Sequence, residues 1–185
     1  MTVSETILLA TGLIGGGTLI SMLVWSIVCP ERRVWPPDNF NMKTPIIAWL
    51  LTVGIFSSAI ALGALGWGSL ELPIWLRWGI GLPLVIAGNF VVWWGVNRIG
   101  MDATSGAEAE LVTTGLYSVS RNPQYVADIC ILIGIGILSA ALWVWPVVAI
   151  GAVALILAPF AEEPWLHEKY GAAFETYCSS TRRFL

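Results

Sequence analysis

A short stretch at 111–125 concentrates the side chains best suited to binding chemistry in this chain. Six of its residues fall within eleven positions: Gly115, Tyr117, Arg121, Asn122, Pro123 and Tyr125. Pro123 favours a helix start, so Arg121 and Asn122 should lie where free backbone N–H groups and the helix dipole attract an anionic group. Arg121 can also bind a carboxylate through two parallel hydrogen bonds. These properties predict half of a ligand site, with a snorkelling arginine and an ordinary helix cap as the alternative.

Ahead of this helix start, Leu111 and Val112 lead into Thr113-Thr114-Gly115. The pattern predicts a short extended segment followed by a turn, because threonine favours extended backbone and glycine allows turn conformations. Backbone N–H and C=O groups in such a segment can hold a flat polar ligand. The segment is therefore a candidate part of the same site.

Two adjacent carboxylates, Glu162 and Glu163, form the second group of candidates. Neighbouring helical positions do not share a face, so a paired-carboxylate site is not expected. One of them can accept hydrogen bonds from ligand hydroxyls or an amine, and a charged helix end is the alternative. His167, the single histidine, follows within about one turn. Arg182 and Arg183 can hold an anionic substrate or lipid headgroups.

Asp128 lies three residues beyond Tyr125, inside an apolar segment. An ionisable side chain at membrane depth is a functional candidate by default, and a solvated helix cap is the alternative. Asn89, in the preceding apolar segment, can face the same interior. We therefore include both side chains in the candidate site.

The elements that position these residues must be membrane helices. The chain has 185 residues, of which 57% are hydrophobic and 11% are charged, whereas soluble domains have about 25% charged residues. This length predicts a single domain over residues 1–185. No basic run suggests nucleic acid, and Cys29, Cys130 and Cys178 lack metal-ligand spacing. We expect a lipid bilayer as the partner and no metal site.

The apolar segments predict an all-α protein with five transmembrane helices. The last apolar stretch, 125–161, is too long for one crossing of about 20 residues. Leu142-Trp143-Val144-Trp145-Pro146 inside it is typical of a tight hairpin tip, with interfacial tryptophans and a proline. The predicted crossings are 6–29, 45–67, 74–96, 125–142 and 146–161.

Basic residues predict the orientation of this bundle. The loops 29–44 and 97–124 and the C-terminal segment fall on one side and hold eight lysines and arginines, against Arg77 alone on the other side. Positive residues favour the cytoplasmic side. The N-terminus should therefore be outside, and the C-terminus and candidate site should be cytoplasmic.

The end of the chain predicts an amphipathic cytoplasmic helix. Pro164 disfavours helical geometry in the residue before it, so Glu162-Glu163-Pro164 should break the fifth crossing. After the break, apolar side chains recur at intervals of three and four: Leu166, Tyr170, Phe174 and Tyr177. This spacing predicts a helix that lies against the bundle.

These residues, in this order, resemble the isoprenylcysteine carboxyl methyltransferase family of integral membrane proteins. The similar motifs are Gly115-Leu116-Tyr117, Arg121-Asn122-Pro123, Tyr125, Glu162-Glu163, Tyr170-Gly171, Tyr177 and Arg182-Arg183. The resemblance covers roughly 97–185, whereas the first two helices match only in hydropathy. The Asn-Pro-x-Tyr and Glu-Glu-Pro elements are also similar to phosphatidylethanolamine N-methyltransferases.

The resemblance implies an S-adenosyl-L-methionine site, with S-adenosyl-L-homocysteine as product, and a small prokaryotic inner-membrane protein. It implies a cofactor-binding catalytic part at 97–185 beside a three-helix part at 1–96. The predicted cofactor-binding residues are Leu111, Val112, Gly115, Tyr117, Asn122, Tyr125, Glu162, Glu163 and His167. The predicted catalytic residues are Arg121, Asn122 and Asp128, and the predicted substrate-binding residues are Asn89, Arg182 and Arg183.

Asn122 departs from the family pattern, which often has Arg-His-Pro. Asparagine does not titrate, so any acid–base role of the family's histidine does not apply to Asn122. A carboxylate acceptor needs no general base, whereas an ammonium must first lose a proton. We therefore expect a lipophilic or lipidated carboxylate acceptor, which enters sideways between helices, beside a kink at Pro83.

Three other functions fit parts of the same pattern. A phospholipid N-methyltransferase shares both motif groups, and Asp128 or a glutamate would then remove the proton. Membrane sterol reductases share a Gly-x-Tyr and Arg-x-Pro-x-Tyr pattern and use NADPH, but this chain has few basic residues for a 2′-phosphate. A non-catalytic membrane scaffold would bind no cofactor.

Overall fold

The described part of the protein is built mainly from helices. A computed structural model describes residues 1–37, 43–100, 104 and 110–185. The helices are α1 (Val3–Val28), α2 (Lys43–Leu65), α3 (Ile74–Ile99), α4 (Pro123–Ser139), α5 (Trp145–Tyr170) and α6 (Ala172–Ser180). Over these residues, β-pairing is limited to an isolated bridge between Ser120 and Arg182. The all-α prediction is confirmed, while the predicted loop residues 38–42, 101–103 and 105–109 lie outside this description.

The four helices α1, α2, α3 and α5 are long and apolar enough to cross a membrane. Helix α4 is apolar but shorter, with 17 residues. At 1.5 Å per residue it reaches about 25 Å, against a hydrocarbon core of about 30 Å. The chain is therefore a multi-pass membrane protein, and a fifth crossing by α4 stays a prediction.

The predicted hairpin between the last two apolar segments is confirmed. Helix α4 ends at Ser139, and Ala140 takes a left-handed backbone conformation with φ of 50°. A 3₁₀ turn at Leu142–Val144 follows, and α5 begins at Trp145 with Pro146 in its first turn. Proline suits that position because the first backbone N–H groups of a helix have no intrahelical acceptor.

The predicted break at Glu162-Glu163-Pro164 is wrong, because α5 continues through Pro164 to Tyr170. A proline removes one helical hydrogen bond, and membrane helices tolerate this where neighbouring groups hold the backbone. Here ion pairs of Glu163 anchor that turn. The helix ends instead at Gly171, whose φ is 50°. The predicted amphipathic helix is thus divided between the end of α5 and α6.

Helix packing leaves a gap on one side of the bundle. Helix α1 packs against α2 and α5, α3 packs against α4, and α4 also contacts α5. Gly88 allows the close approach of α3 and α4, because a Cβ atom there would come within 2.8 Å of the Ala127 carbonyl oxygen. Helices α2 and α3 line a large cavity from its two sides. This cavity contains most of the predicted site.

Candidate functional site

Glu163 is the centre of a cluster of ion pairs that joins three parts of the chain. Its Oε1 atom lies 2.7 Å from Nη2 of Arg121 and 2.8 Å from Nε of Arg183. Its Oε2 atom lies 2.5 Å from Nη2 of Arg183. The side chains of Arg121 and Glu163 are only 11% and 14% exposed. This low exposure makes their interaction strong, because water screens buried charges weakly.

Arg121 and Asn122 also hold the segment that follows α6. Nη1 of Arg121 donates to the Thr181 carbonyl at 2.6 Å, and the backbone N–H of Arg121 donates to the Arg182 carbonyl at 2.8 Å. The Asn122 side-chain amide donates to the Arg183 carbonyl at 3.0 Å. Both side chains line the cavity. Each therefore shapes the site and also fixes the C-terminal segment beside it.

The Glu162 carboxylate is held from two directions. The Trp35 indole N–H donates to its Oε1 atom at 2.8 Å, and the Tyr125 hydroxyl donates to the same oxygen. Among the residues that the structure describes, no donor reaches Oε2. Because Glu162 lines the cavity, that oxygen is available to a hydroxyl or amino group of a ligand.

Two tyrosines connect the stretch before α4 to α6. The Tyr177 hydroxyl donates to the Tyr117 carbonyl at 2.6 Å, and the Tyr117 hydroxyl donates to Oε1 of Gln124 at 3.0 Å. Burial raises the pKa of Tyr117 well above its usual range and that of Tyr177 to about 12. Both hydroxyls therefore stay protonated and act as donors. The Trp94 ring stacks on Tyr117 with centroids 6.4 Å apart.

Gly115 is required where the chain turns under Trp94. Its φ is 68°, and a Cβ atom would lie 2.6 Å from the Trp94 ring. We expect Gly115→Ala to lower the free energy of unfolding by about 1–3 kcal/mol, through backbone strain and displacement of that ring. Thermal unfolding of the detergent-solubilised protein measures this change. Gly17→Ala is the control, since nothing lies within 4 Å of its Cβ position, and an equal loss in both variants would contradict the prediction.

A cavity of about 890 Å³ connects these groups, and drug-sized ligands occupy pockets of about 300–1,000 Å³. Its lining includes a set of polar side chains: Glu110, Tyr117, Arg121, Asn122, Gln124, Asp128, Glu162 and Glu163. The remaining wall is mostly apolar and is formed by Trp49, Val53, Phe56 and Ile60 of α2 and Val85, Val92 and Val96 of α3. The cavity therefore suits a polar ligand next to an apolar one.

Most of the predicted site residues lie together around this cavity. They are Asn89, Leu111, Val112, Tyr117, Arg121, Asn122, Tyr125, Asp128, Glu162 and Glu163. The Asn89 amide donates to the Val85 carbonyl of its own helix at 2.8 Å. No hydrogen-bond partner of Asp128 is present in the described part of the chain, so its carboxylate is open to a ligand. The roles of these residues stay predictions.

Four predicted site residues lie outside the cavity wall. Gly115 lies against the Trp94 ring. His167 is exposed and packs edge-on against Phe174, with ring centroids 4.9 Å apart. Arg182 is exposed, and its carbonyl holds Arg121. The guanidinium of Arg183 binds Glu163 and lies 4.1 Å from the Phe160 ring centroid. These positions do not support direct contact of the four residues with a ligand.

Trp35 and Gln124 are among the cavity-lining residues that the sequence interpretation missed. Trp35 is 8% exposed and donates its indole N–H to Glu162. Gln124 accepts from Tyr117 and lies one position after the helix-starting Pro123. A signal for Trp35 was present in Trp35-Pro36-Pro37, where prolines favour a rigid loop. Its partner, however, is 127 positions away.

Comparisons with known proteins found a matching family and a similar protein. The sequence pattern of a family described as phospholipid methyltransferase matches residues 76–173, just over half of the chain. The nickel-cobalt-cadmium resistance protein NccN of Alcaligenes xylosoxydans xylosoxydans is 24% identical over 151 residues, which cover 80% of this chain and 68% of that protein. No solved structure matches significantly. Among the described residues, no group of three histidine, cysteine or carboxylate side chains is placed to bind a metal ion.

Proposed function

Because the chain belongs to the phospholipid methyltransferase family, we propose that it is a membrane methyltransferase that uses S-adenosyl-L-methionine to methylate an amine-bearing amphiphile. One observation carries this proposal. A single cavity joins the polar groups around Glu162 and Asp128 to an apolar wall formed by α2 and α3. A charged cofactor and a lipid-like acceptor can therefore occupy it side by side.

The residues of the polar region fit the cofactor by their chemistry. Oε2 of Glu162 can accept from ribose hydroxyls or the amino group, and the side-chain oxygen of Asn122 offers a second acceptor. Arg121 also lines the cavity, where its positive charge can attract the carboxylate of the cofactor. When bound, S-adenosyl-L-methionine supplies an electrophilic methyl group and becomes S-adenosyl-L-homocysteine.

The charges around the cavity favour an amine over the carboxylate acceptor that the sequence suggested. Arg121 is the one cationic side chain among the described lining residues, and it is paired with Glu163. Glu110, Asp128 and Glu162 also line the wall. Nearby carboxylates stabilise a cation and repel an anion. An ammonium headgroup would therefore be drawn to this wall.

Asp128 is suited to prepare such an acceptor. An ammonium must lose a proton before its nitrogen can form a bond to the methyl carbon. The Asp128 carboxylate, which has no partner among the described residues, can accept this proton. The remaining contribution of the protein is alignment of the reacting groups and exclusion of water, for which the apolar wall is suited.

The loop charges support a topology with the site in the cytoplasm. Five crossings put the N-terminus outside and the C-terminal segment, Arg121 and Glu162 inside, in accordance with the positive-inside rule. In this topology the helices at 1–96 form part of the acceptor wall, and 97–185 provides most cofactor contacts. The acceptor enters from the bilayer through the gap between α2 and α3.

Thermal unfolding of the purified protein in lipid nanodiscs tests the cofactor. We expect S-adenosyl-L-homocysteine to raise the unfolding temperature, because a ligand that binds only the folded state stabilises it. Stabilisation by NADPH but not by S-adenosyl-L-homocysteine would favour a reductase, and stabilisation by neither would favour a scaffold. Incubation with methyl-labelled S-adenosyl-L-methionine and a membrane lipid extract then identifies the acceptor. Label in methyl esters alone would exclude an amine.

A further inference from the structure

The segment at residues 33–36, called the strap here, folds back onto the end of α1. The backbone N–H groups of Val34 and Trp35 both donate to Oγ of Ser26, each at 3.0 Å. The Ser26 hydroxyl donates in turn to the Met22 carbonyl at 2.8 Å. Ser26 is only 1% exposed, and these bonds use its one donor and both acceptor positions. The backbone of the strap is thus fixed to α1.

A second anchor joins the strap to α5. Nη2 of Arg33 lies 2.6 Å from Oε2 of Glu168, and the Arg33 side chain is 8% exposed. Glu168 follows Glu162 by six residues on the same helix. The strap therefore connects α1 to the part of α5 that carries the site carboxylates.

Trp35 occupies the middle of this connection. Its ring is 8% exposed and lines the cavity, and its N–H donates to Oε1 of Glu162 at 2.8 Å. An indole N–H can donate a hydrogen bond but cannot accept one, so its partner at this place must be an acceptor such as the Glu162 carboxylate. Together with the Tyr125 hydroxyl it holds one oxygen of the carboxylate. The rotation of Glu162 is thereby restricted, and Oε2 keeps a defined direction.

We propose that Trp35 is a positioning residue for the cofactor, which acts by holding Glu162 so that Oε2 meets a hydroxyl or amino group of S-adenosyl-L-methionine. This inference rests on the proposed function. The strap lies outside residues 76–173, which match the family pattern. The N-terminal part of the chain therefore contributes to cofactor affinity as well as to the acceptor wall.

Calorimetric titration of S-adenosyl-L-homocysteine into nanodisc-embedded protein tests the proposal. We expect Trp35→Phe to weaken binding about tenfold, since it removes one hydrogen bond to a charged group and keeps an aromatic ring. In turnover assays, the KM for S-adenosyl-L-methionine should rise and the KM for the acceptor should stay unchanged. In a Glu162→Ala background, Trp35→Phe should have less than a twofold effect, because the side chain through which Trp35 acts is absent.

Trp25→Phe is the matched control, because the Trp25 indole donates to the Arg32 carbonyl at 3.0 Å and not to Glu162. Its affinity should stay within twofold of the wild type. Ser26→Ala, which frees the strap backbone while keeping the indole, should also weaken binding. Two results would overturn the role of Trp35. The first is an unchanged affinity for S-adenosyl-L-homocysteine in both Trp35→Phe and Ser26→Ala. The second is an equal loss of affinity on Trp35→Phe whether or not Glu162 is present. Failure of the wild type to bind S-adenosyl-L-homocysteine overturns the proposed function itself.

Discussion

Asp128→Asn should reduce methyl transfer to an amine acceptor by about 100-fold or more, the contribution of a well-placed general base. Asparagine keeps the size of the side chain but can neither accept a proton nor attract an ammonium by charge. Affinity for S-adenosyl-L-homocysteine should stay within about twofold, because Glu162, Asn122 and Arg121 remain in place. The loss should therefore fall on the turnover rate and on the KM of the acceptor.

Rates of label incorporation measured between pH 7 and pH 10 provide the control for this prediction. Raising the pH deprotonates a free amine, whose pKa is near that of lysine at about 10.4, so the deficit of Asp128→Asn should shrink as the pH rises. Asp128→Glu, which restores the carboxylate, should recover part of the rate. A deficit that is independent of pH, or lost cofactor binding in Asp128→Asn, would show that Asp128 has another role.

Glu163→Gln should have the largest effect on stability, a loss of about 3–5 kcal/mol in the free energy of unfolding. The change removes the carboxylate that compensates Arg121, which is 11% exposed, and Arg183, which is 34% exposed. A buried guanidinium without a counter-ion is costly. Release of the C-terminal segment, which Arg121 also holds, should follow.

Thermal unfolding and the yield of folded protein in detergent measure this loss. Glu175→Gln is the matched control, since it makes the same chemical change at an exposed position of α6. Surface substitutions of this kind usually change stability by no more than about 0.5 kcal/mol. If both variants unfold at the wild-type temperature, the ion pairs of Glu163 contribute no net stability, and the cluster serves ligand binding alone.

The parts of the fold predicted correctly are those with local signals. The hairpin between α4 and α5 follows from Trp145 and Pro146, which act through interfacial preference and missing backbone donors within a few residues. The break at Pro164 failed for the opposite reason. That turn is held by Arg121 and Arg183, which lie 42 and 20 positions away, and no local pattern contains these contacts.

The candidate site also combines parts that local sequence signals predict with parts that depend on distant contacts. The stretch 111–125 and the pair Glu162-Glu163 meet at one cavity because the hairpin returns both ends to the same border. The sequence could not predict that Trp35 would reach Glu162 from the first loop. It also could not predict that the guanidinium of Arg183 binds Glu163 in the protein itself, and the substrate-binding role of Arg183 stays a prediction. An arginine near a predicted site offers charge, but its partner is decided by packing.

The contacts of residues 181–183 impose an order on biosynthesis. Arg121 and Glu163 are synthesised before Arg183, so their cluster cannot be complete until residue 183 has been added. The carbonyl groups of Thr181 and Arg183, which bind Arg121 and Asn122, are also synthesised after the described helices α1 to α5. A chain that stops before residue 181 therefore contains the sequence of α1 to α6 but lacks the groups that complete the cluster.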